Sequence, residues 1–239
     1  MERSQEIEVN LERVEAEISV ALSEVGRKRS EVTMIAVTKN FPVSDIEILY
    51  NLGIRDFGEN RDQEAREKVR YFREESPTKG AGIRWHFQGQ LQRNKLASIG
   101  SWAEMVHSVD DVKYLSGLSS AAMKSNRQVR CLIQISLDEI LTPARGGTDM
   151  RGALEILASA QRREGELSGI SLVGVMGVAP ITGSAKSAFT RLYQAFLAIQ
   201  GEFPQITVLS AGMSSDFADA LTSGATHIRL GSSILGSRR

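Results

Sequence analysis

The sequence predicts an α/β protein built as a single closed (β/α)8 TIM barrel with an extra helix in front, and three observations carry that prediction. Eight short apolar runs lie along the 239 residues, nearly every one followed by a segment with helical spacing. Strands that alternate with helices pair in parallel through right-handed crossovers. The runs are largely continuous rather than alternating, as expected of strands with helices on one face and a packed interior on the other. No Gly-x-Gly-x-x-Gly follows the first run, which removes the main support for an open dinucleotide-binding sheet.

Taken in order, the first segment carries Ile7, Leu11, Val14, Ile18, Leu22 and Val25, the stripe of an amphipathic helix ending near Gly26. Strand one is Val32–Thr38, and helical spacing returns at Ile46, Leu49 and Leu52 with Gly53 as the stop. Strand two is Ile54–Gly58, followed by a highly charged helix from about Arg61 to Phe72. A loop with Pro77, Gly80 and Gly82 leads to strand three, Ile83–Gln88, and strand four is Met105–Val109, before a helix opened by Asp110. Strand five, Val129–Ser136, runs into a loop through Pro143 and Gly146-Gly147, then a helix from about Asp149 to Glu164. Leu172–Val178 is strand six, with a helix near Ala185–Gln200. Ile206–Ser210, a short helix near Asp216–Leu221, and strand eight at Thr226–Leu230 complete the set. No linker-like shift in composition divides the chain, so residues 1–239 are expected to form one domain.

Composition narrows the function classes. Lys plus Arg number 29 and Asp plus Glu number 29, so the balance gives no electrostatic reason to expect nucleic-acid or anionic-membrane binding. No segment approaches the roughly 20 continuous apolar residues of a membrane helix. The acidic amino terminus, MERSQEIEVN, lacks the apolar stretch of a signal peptide, so a cytoplasmic location is expected. Cys131, the one cysteine, lies in the apolar run VRCLIQI and reads as a small buried hydrophobe.

Barrel active sites sit at the carboxyl ends of the strands, with phosphate commonly held after strands seven and eight. Lys39 ends strand one in MIAVTKNFP, and Gly58-Glu59-Asn60 ends strand two. Ser210–Ser215 follow strand seven and Gly231-Ser232-Ser233 follow strand eight; both loops combine glycine with serine hydroxyls and a short helix, the makings of an anion cradle. In strand eight, His227, Arg229 and Gly231 share one face by the two-residue period. A barrel-mouth lysine forms a Schiff base with a carbonyl compound when its neutral amine is favoured. Pyridoxal 5′-phosphate (PLP) supplies both an aldehyde and a phosphate, and so does the substrate of a sugar-phosphate aldolase; pattern alone does not separate the two.

Other candidates carry less. His86, between aromatics in a strand, reads as a packed, hydrogen-bonded histidine. His107 and His227 are scattered, and no spacing resembles a metal site. Arg145-Gly146-Gly147 occurs once, in a turn-like loop, and the charged helix Arg61–Lys68 reads as a solvated face with internal pairs.

The motifs AVTKNFP, FGENRDQE, WHFQGQLQRNK, HSVD, VGVMGVAP, LSAGMSSDFADAL and GATHIRLGSSILGSR occur in this order over nearly the whole chain. In them the chain resembles the pyridoxal-phosphate homeostasis proteins, or PLP-binding proteins, relatives of the alanine racemase N-terminal barrel. The resemblance implies a Schiff base between PLP and Lys39, with Ser214, Gly231 and Ser232 at the phosphate and Ser215 nearby. It implies that Arg229 faces the pyridine nitrogen and that Asn60 lies near the ring oxygen.

Two departures from the racemases matter. They carry a tyrosine shortly after their lysine, where this sequence has Phe41-Pro42-Val43. They also use a tyrosine from a carboxyl-terminal β-domain as the opposite-face base, and this sequence ends after Gly236-Ser237-Arg238-Arg239. The resulting expectation is an intracellular carrier or buffer of PLP with no catalytic residue, monomeric, partnered by PLP-dependent apo-enzymes. The alternative is an amino-acid racemase acting on the barrel alone; a Schiff-base aldolase lacks the family support.

Overall fold

Eight parallel strands close edge to edge in the computed structural model of the chain, which describes residues 2–140 and 145–236. Pro143 and Ser237–Arg239, named above, lie outside the described residues. The barrel half nearer the amino terminus runs α1 (Arg3–Ser23), β1 (Thr33–Val37), α2 (Val43–Asn51), β2 (Asp56–Glu59), α3 (Asp62–Arg70), α4 (Pro77–Gly80), β3 (Arg84–Phe87), α5 (Leu96–Trp102) and β4 (Met105–Val109). The other half runs α6 (Leu115–Lys124), β5 (Val129–Gln134), α7 (Met150–Arg162), β6 (Ile170–Met176), α8 (Ala185–Glu202), β7 (Val208–Ser210), α9 (Phe217–Thr222), β8 (His227–Leu230) and α10 (Ser232–Leu235). Each strand pairs with its neighbour in sequence, and β8 returns to β1 with Thr33 opposite His227 and Ile35 opposite Arg229.

The two-residue period divides most strands, with irregularities in β4 and β6. Met34 and Ala36, Trp85 and Phe87, Cys131 and Ile133, and Ile228 and Leu230 join the apolar layer between sheet and helices. The alternate positions point inward, where a small apolar cluster of Met105, Leu132, Met176 and Val208 fills part of the barrel. Beside it the interior holds Asp56, His86, His107, Ser210 and Arg229, all buried.

Helix boundaries follow local chemistry. In α7, Asp149 caps the first turn by accepting from the Gly152 N–H at 2.8 Å. In α1 the stripe Ile7, Leu11, Val14, Ile18 and Leu22 is buried as its spacing requires, but the helix ends at Ser23 and Val25 is exposed. Helix α5 was not anticipated; its seven residues are too few for a periodic stripe to stand out. The expected helix at Asp110 opens later, after a 3₁₀ turn at Val112–Tyr114 that Asp111 caps.

Helix α1 lies across the seam where the chain closes. Arg3 donates to the Leu235 carbonyl (2.9 Å), Asn10 to Ile234 (3.0 Å) and Arg13 to Ser233 (2.9 Å), so its polar side chains satisfy the free carbonyls of α10. Among the described residues, no helix is long and apolar enough to cross a membrane.

Candidate functional site

A cavity of about 610 Å³ opens at the carboxyl ends of the strands, lined by residues that follow β1, β3, β7 and β8. Lys39 stands at its edge, half-buried, with no hydrogen-bond or ion-pair partner among the described residues. Its neighbours are fixed on both sides. Thr38 receives Lys68 Nζ at its carbonyl (2.8 Å) and donates its hydroxyl to Glu59 Oε1 (2.6 Å). Asn40 adopts φ 63°, and its N–H donates to Glu64 Oε1.

These contacts correct the expectation of a solvated charged helix. Lys68 is buried and donates to Glu59 Oε1 (2.8 Å) as well as Glu64 Oε1 (2.7 Å). Asp62 is also buried and accepts from Ser98 Oγ (2.6 Å) and Trp102 Nε1 (3.0 Å) on α5. Burial raises the Glu59 carboxyl, an effect opposed by Lys68 and Thr38.

Across the cavity, the loops after β7 and β8 meet at Ser214. Its Oγ accepts from the backbone N–H groups of Gly231 and Ser233 (3.2 Å each), and Ser233 Oγ donates to it at 3.1 Å. Such converging N–H and O–H donors suit an anionic oxygen. The tight turn that brings Ser214 here needs Gly212, whose φ is 91° and whose Cβ would lie 2.7 Å from that of Ala220. Ser215 and Ser232 line the same cavity.

Arg229 lies in the cavity wall from the inside of β8, donating to Ser210 Oγ (2.7 Å) and to the Gly177 carbonyl (3.0 Å). Burial brings its guanidinium down to about 10, against the pull of Asp216, so it stays charged at neutral pH. Six of the seven site residues inferred from sequence therefore share one cavity wall: Lys39, Ser214, Ser215, Arg229, Gly231 and Ser232. Asn60 is not in that wall; its Oδ1 is buried with no donor among the described residues.

Gln88 was missed. It lines the cavity, and its Nε2 is buried with no acceptor among the described residues. Its place at the end of β3 was the available signal. Gly58, across on β2, makes room for it: a Cβ there would lie 2.5 Å from Gln88 Nε2.

The histidines are not scattered. His86 Nδ1 lies 3.0 Å from His107 Nε2 inside the barrel, and His107 Nδ1 lies 3.0 Å from Ser210 Oγ. Burial, with His86 and Arg229 nearby, holds His107 well below the ordinary histidine value, and burial brings His227 down to about 3. Cys131 is fully buried, its thiol pushed up to about 12 by burial alone. Arg145 bridges Asp138 (2.8 Å) and the Ala179 carbonyl (2.6 Å), which gives the Arg-Gly-Gly turn a loop-tying role.

Comparison with known proteins bears on this site. A family model described as the N-terminal domain of alanine racemase matches residues 9–239. The pyridoxal phosphate homeostasis protein of Mycobacterium bovis is 34% identical over 250 residues, covering 100% of this chain and 95% of that protein. Its namesake in Escherichia coli K12 is 31% identical over 236 residues, covering 96% and 95%. The structure of PipY from Synechococcus elongatus, solved with PLP bound, matches with TM-score 0.74 and 31% identity, covering 92% of this chain and 100% of that one. An alanine racemase of Clostridium difficile, 12% identical with TM-score 0.71 and covering 98% of this chain and 60% of that one, shares the fold.

Proposed function

The chain belongs to the pyridoxal phosphate homeostasis proteins, on the barrel of the alanine racemase N-terminal domain, and from that membership we propose that it binds pyridoxal 5′-phosphate and carries or buffers it, with little or no catalysis. One observation carries the reading: Lys39, an amine without a polar partner among the described residues, shares a cavity with the donor cluster at Ser214 and the buried cation of Arg229. When bound, PLP supplies an aldehyde that an amine can capture and a ring that can withdraw electrons.

In this reading Lys39 Nζ holds the cofactor covalently. Ser214, Gly231 and Ser232 receive the phosphate through N–H and O–H donors, with Ser215 beside them. Gln88 Nε2, without an acceptor among the described residues, is a donor suited to a ring oxygen, the place expected for Asn60, which lies outside the cavity wall. Arg229 would face the ring nitrogen as a donor that does not yield its proton, and a guanidinium there would leave that nitrogen unprotonated and weaken electron withdrawal. Exchange of a substrate's α-proton from both faces needs two acid–base groups. Lys39 and Arg229 are the ionisable residues of the described cavity wall, and a guanidinium is a poor base. The whole chain would serve as one PLP-binding domain, a monomer in the cytoplasm that passes cofactor to PLP-dependent apo-enzymes.

The test is spectroscopic. Protein mixed with PLP is expected to develop a visible absorbance band and to be labelled irreversibly by borohydride, and Lys39→Ala to lose both. A persistent band and label in Lys39→Ala would remove Lys39 as the anchor. In the same preparation, enzyme-like α-proton exchange across a panel of amino acids would establish a racemase instead. Exchange no faster than with free PLP is the expected result.

A further inference from the structure

A row of hydrogen-bonding side chains crosses the barrel interior from the amino-terminal ends of β2 and β3 to the cavity wall. Arg84 Nε donates to Asp56 Oδ1 at 2.7 Å, and Asp56 Oδ1 lies 3.0 Å from His86 Nε2. The row continues from His86 Nδ1 to His107 Nε2, from His107 Nδ1 to Ser210 Oγ, and from Ser210 to Arg229, at 3.0, 3.0 and 2.7 Å. Asp56, His86, His107, Ser210 and Arg229 are all buried. We propose that this row is a one-way hydrogen-bond chain, in which every proton points from Arg229 towards the Asp56 carboxylate, and that its members are positioning residues for Arg229.

The ends fix the direction. A guanidinium has donors and no acceptor, whereas an ionised carboxylate has acceptors and no donor. Asp56 takes both prongs of the Arg84 guanidinium, Nε on Oδ1 and Nη2 on Oδ2, and a carboxyl held by a permanent cation in this way is ionised at neutral pH. Ser210 must therefore accept from Arg229, and its own O–H finds an acceptor in His107 Nδ1 when that nitrogen carries no proton. His107 then donates through Nε2–H to His86 Nδ1, and His86 donates through Nε2–H to Asp56. Both imidazoles are thus neutral and in the Nε2–H form, with one donor and one acceptor used at every link.

A further proton has one way in. On His86 it would occupy Nδ1, so His107 would have to accept at Nε2 and donate from Nδ1. Ser210 Oγ would then face two donors, and its own hydrogen would lose its acceptor. The charged and titratable groups acting on this row are Asp56 on β2, Arg84 and His86 on β3, Glu104 just before β4 and His107 on it, Arg130 on β5, Asp216 after β7, and His227 and Arg229 on β8. A proton taken up near the barrel floor would reverse the links as far as Ser210, on which Arg229 rests.

The direction of the chain rests on the hydrogen-bond geometry together with neutral imidazoles; its effect on the ligand rests on the placement of Arg229 at the PLP ring proposed above. The test uses cofactor-free protein labelled with ¹⁵N-histidine at pH 7, with each ring nitrogen correlated to its ring protons. His86 and His107 should each show a single neutral Nε2–H form. In Asp56→Asn the His107 signal, two links away, should become a mixture of forms. An Nδ1–H form of either histidine in the unaltered protein, or a His107 signal unmoved in Asp56→Asn, overturns the chain; the first measurement needs no variant to fold. Ser210→Ala should keep both histidine forms yet weaken PLP binding by about tenfold, the effect of loosening one charge-assisted hydrogen bond. Unchanged affinity would overturn the positioning role. Absence of PLP binding by the unaltered protein would instead refute the function proposed above and leave the histidine result standing.

Discussion

Asn40 sits at φ 63° directly after Lys39, a left-handed conformation that asparagine tolerates better than most side chains. It turns the chain away from β1 immediately past the lysine, and Phe41 N–H closes the turn on the Thr38 carbonyl at 3.0 Å. The residue scale is also where Gly58 acts. A methyl group there would collide with Gln88 Nε2 and lie 3.1 Å from Ile35 Cγ2. Gly58→Ala is therefore expected to push the Gln88 amide out of place and to lower PLP affinity several-fold, about 1 kcal/mol or a lost neutral hydrogen bond. Titration of the visible band checks it, and an unchanged midpoint would show that Gln88 does not touch the ligand. Lys39 and Arg229 were legible because a charge that ends or interrupts an apolar run is conspicuous. Gln88 was not, because one uncharged amide in a polar loop breaks no pattern.

At the scale of elements, α3 departs furthest from its sequence. Its run of charges reads as solvent-facing, since intrahelical pairing accounts for such spacing without any burial. Its neighbours decide otherwise: Glu59 at the end of β2 and the Thr38 carbonyl after β1 lie within reach of Lys68 and draw it under the lysine turn. Contacts between residues far apart in sequence leave no periodic trace. Lys68→Met should cost about 3–5 kcal/mol, because it strands the buried Glu59 carboxylate without its cation. The double change Lys68→Met with Glu59→Leu should recover much of that loss. Urea denaturation of both variants checks the pair, and a double variant no more stable than the single one would contradict it. By contrast, α1, α7 and α8 were legible apart from their ends, because an apolar stripe or a cap residue marks each, whereas α5 was too short to declare itself.

For the whole molecule, the polar interior sets a response to acid. His227 and His107 are held neutral by burial, so an unfolded chain takes up protons at about pH 6.5 that the folded one refuses. The unfolded state then binds more protons, and stability falls as the pH drops from about 6.5 towards 3. Asp56 adds a second loss of about 2 kcal/mol between its ordinary value of 3.8 and its folded value of about 2, since its stabilisation is present only above that window. The urea midpoint is expected to decline already between pH 7 and pH 5; a flat profile there would mean that the buried histidines accept protons in place. The seam held by α1 has a consequence in time. The helix synthesised first rests on carbonyls synthesised last, with Arg3 and Leu235 separated by 232 positions. Strand β1 likewise waits for β8. Such long-range closure is slow to form, so the donor cluster at Ser214, Gly231 and Ser233 does not exist on a nascent chain. Loading with cofactor is then an event of the finished protein, and a ribosome-tethered fragment stopping before β8 would emerge unable to hold it.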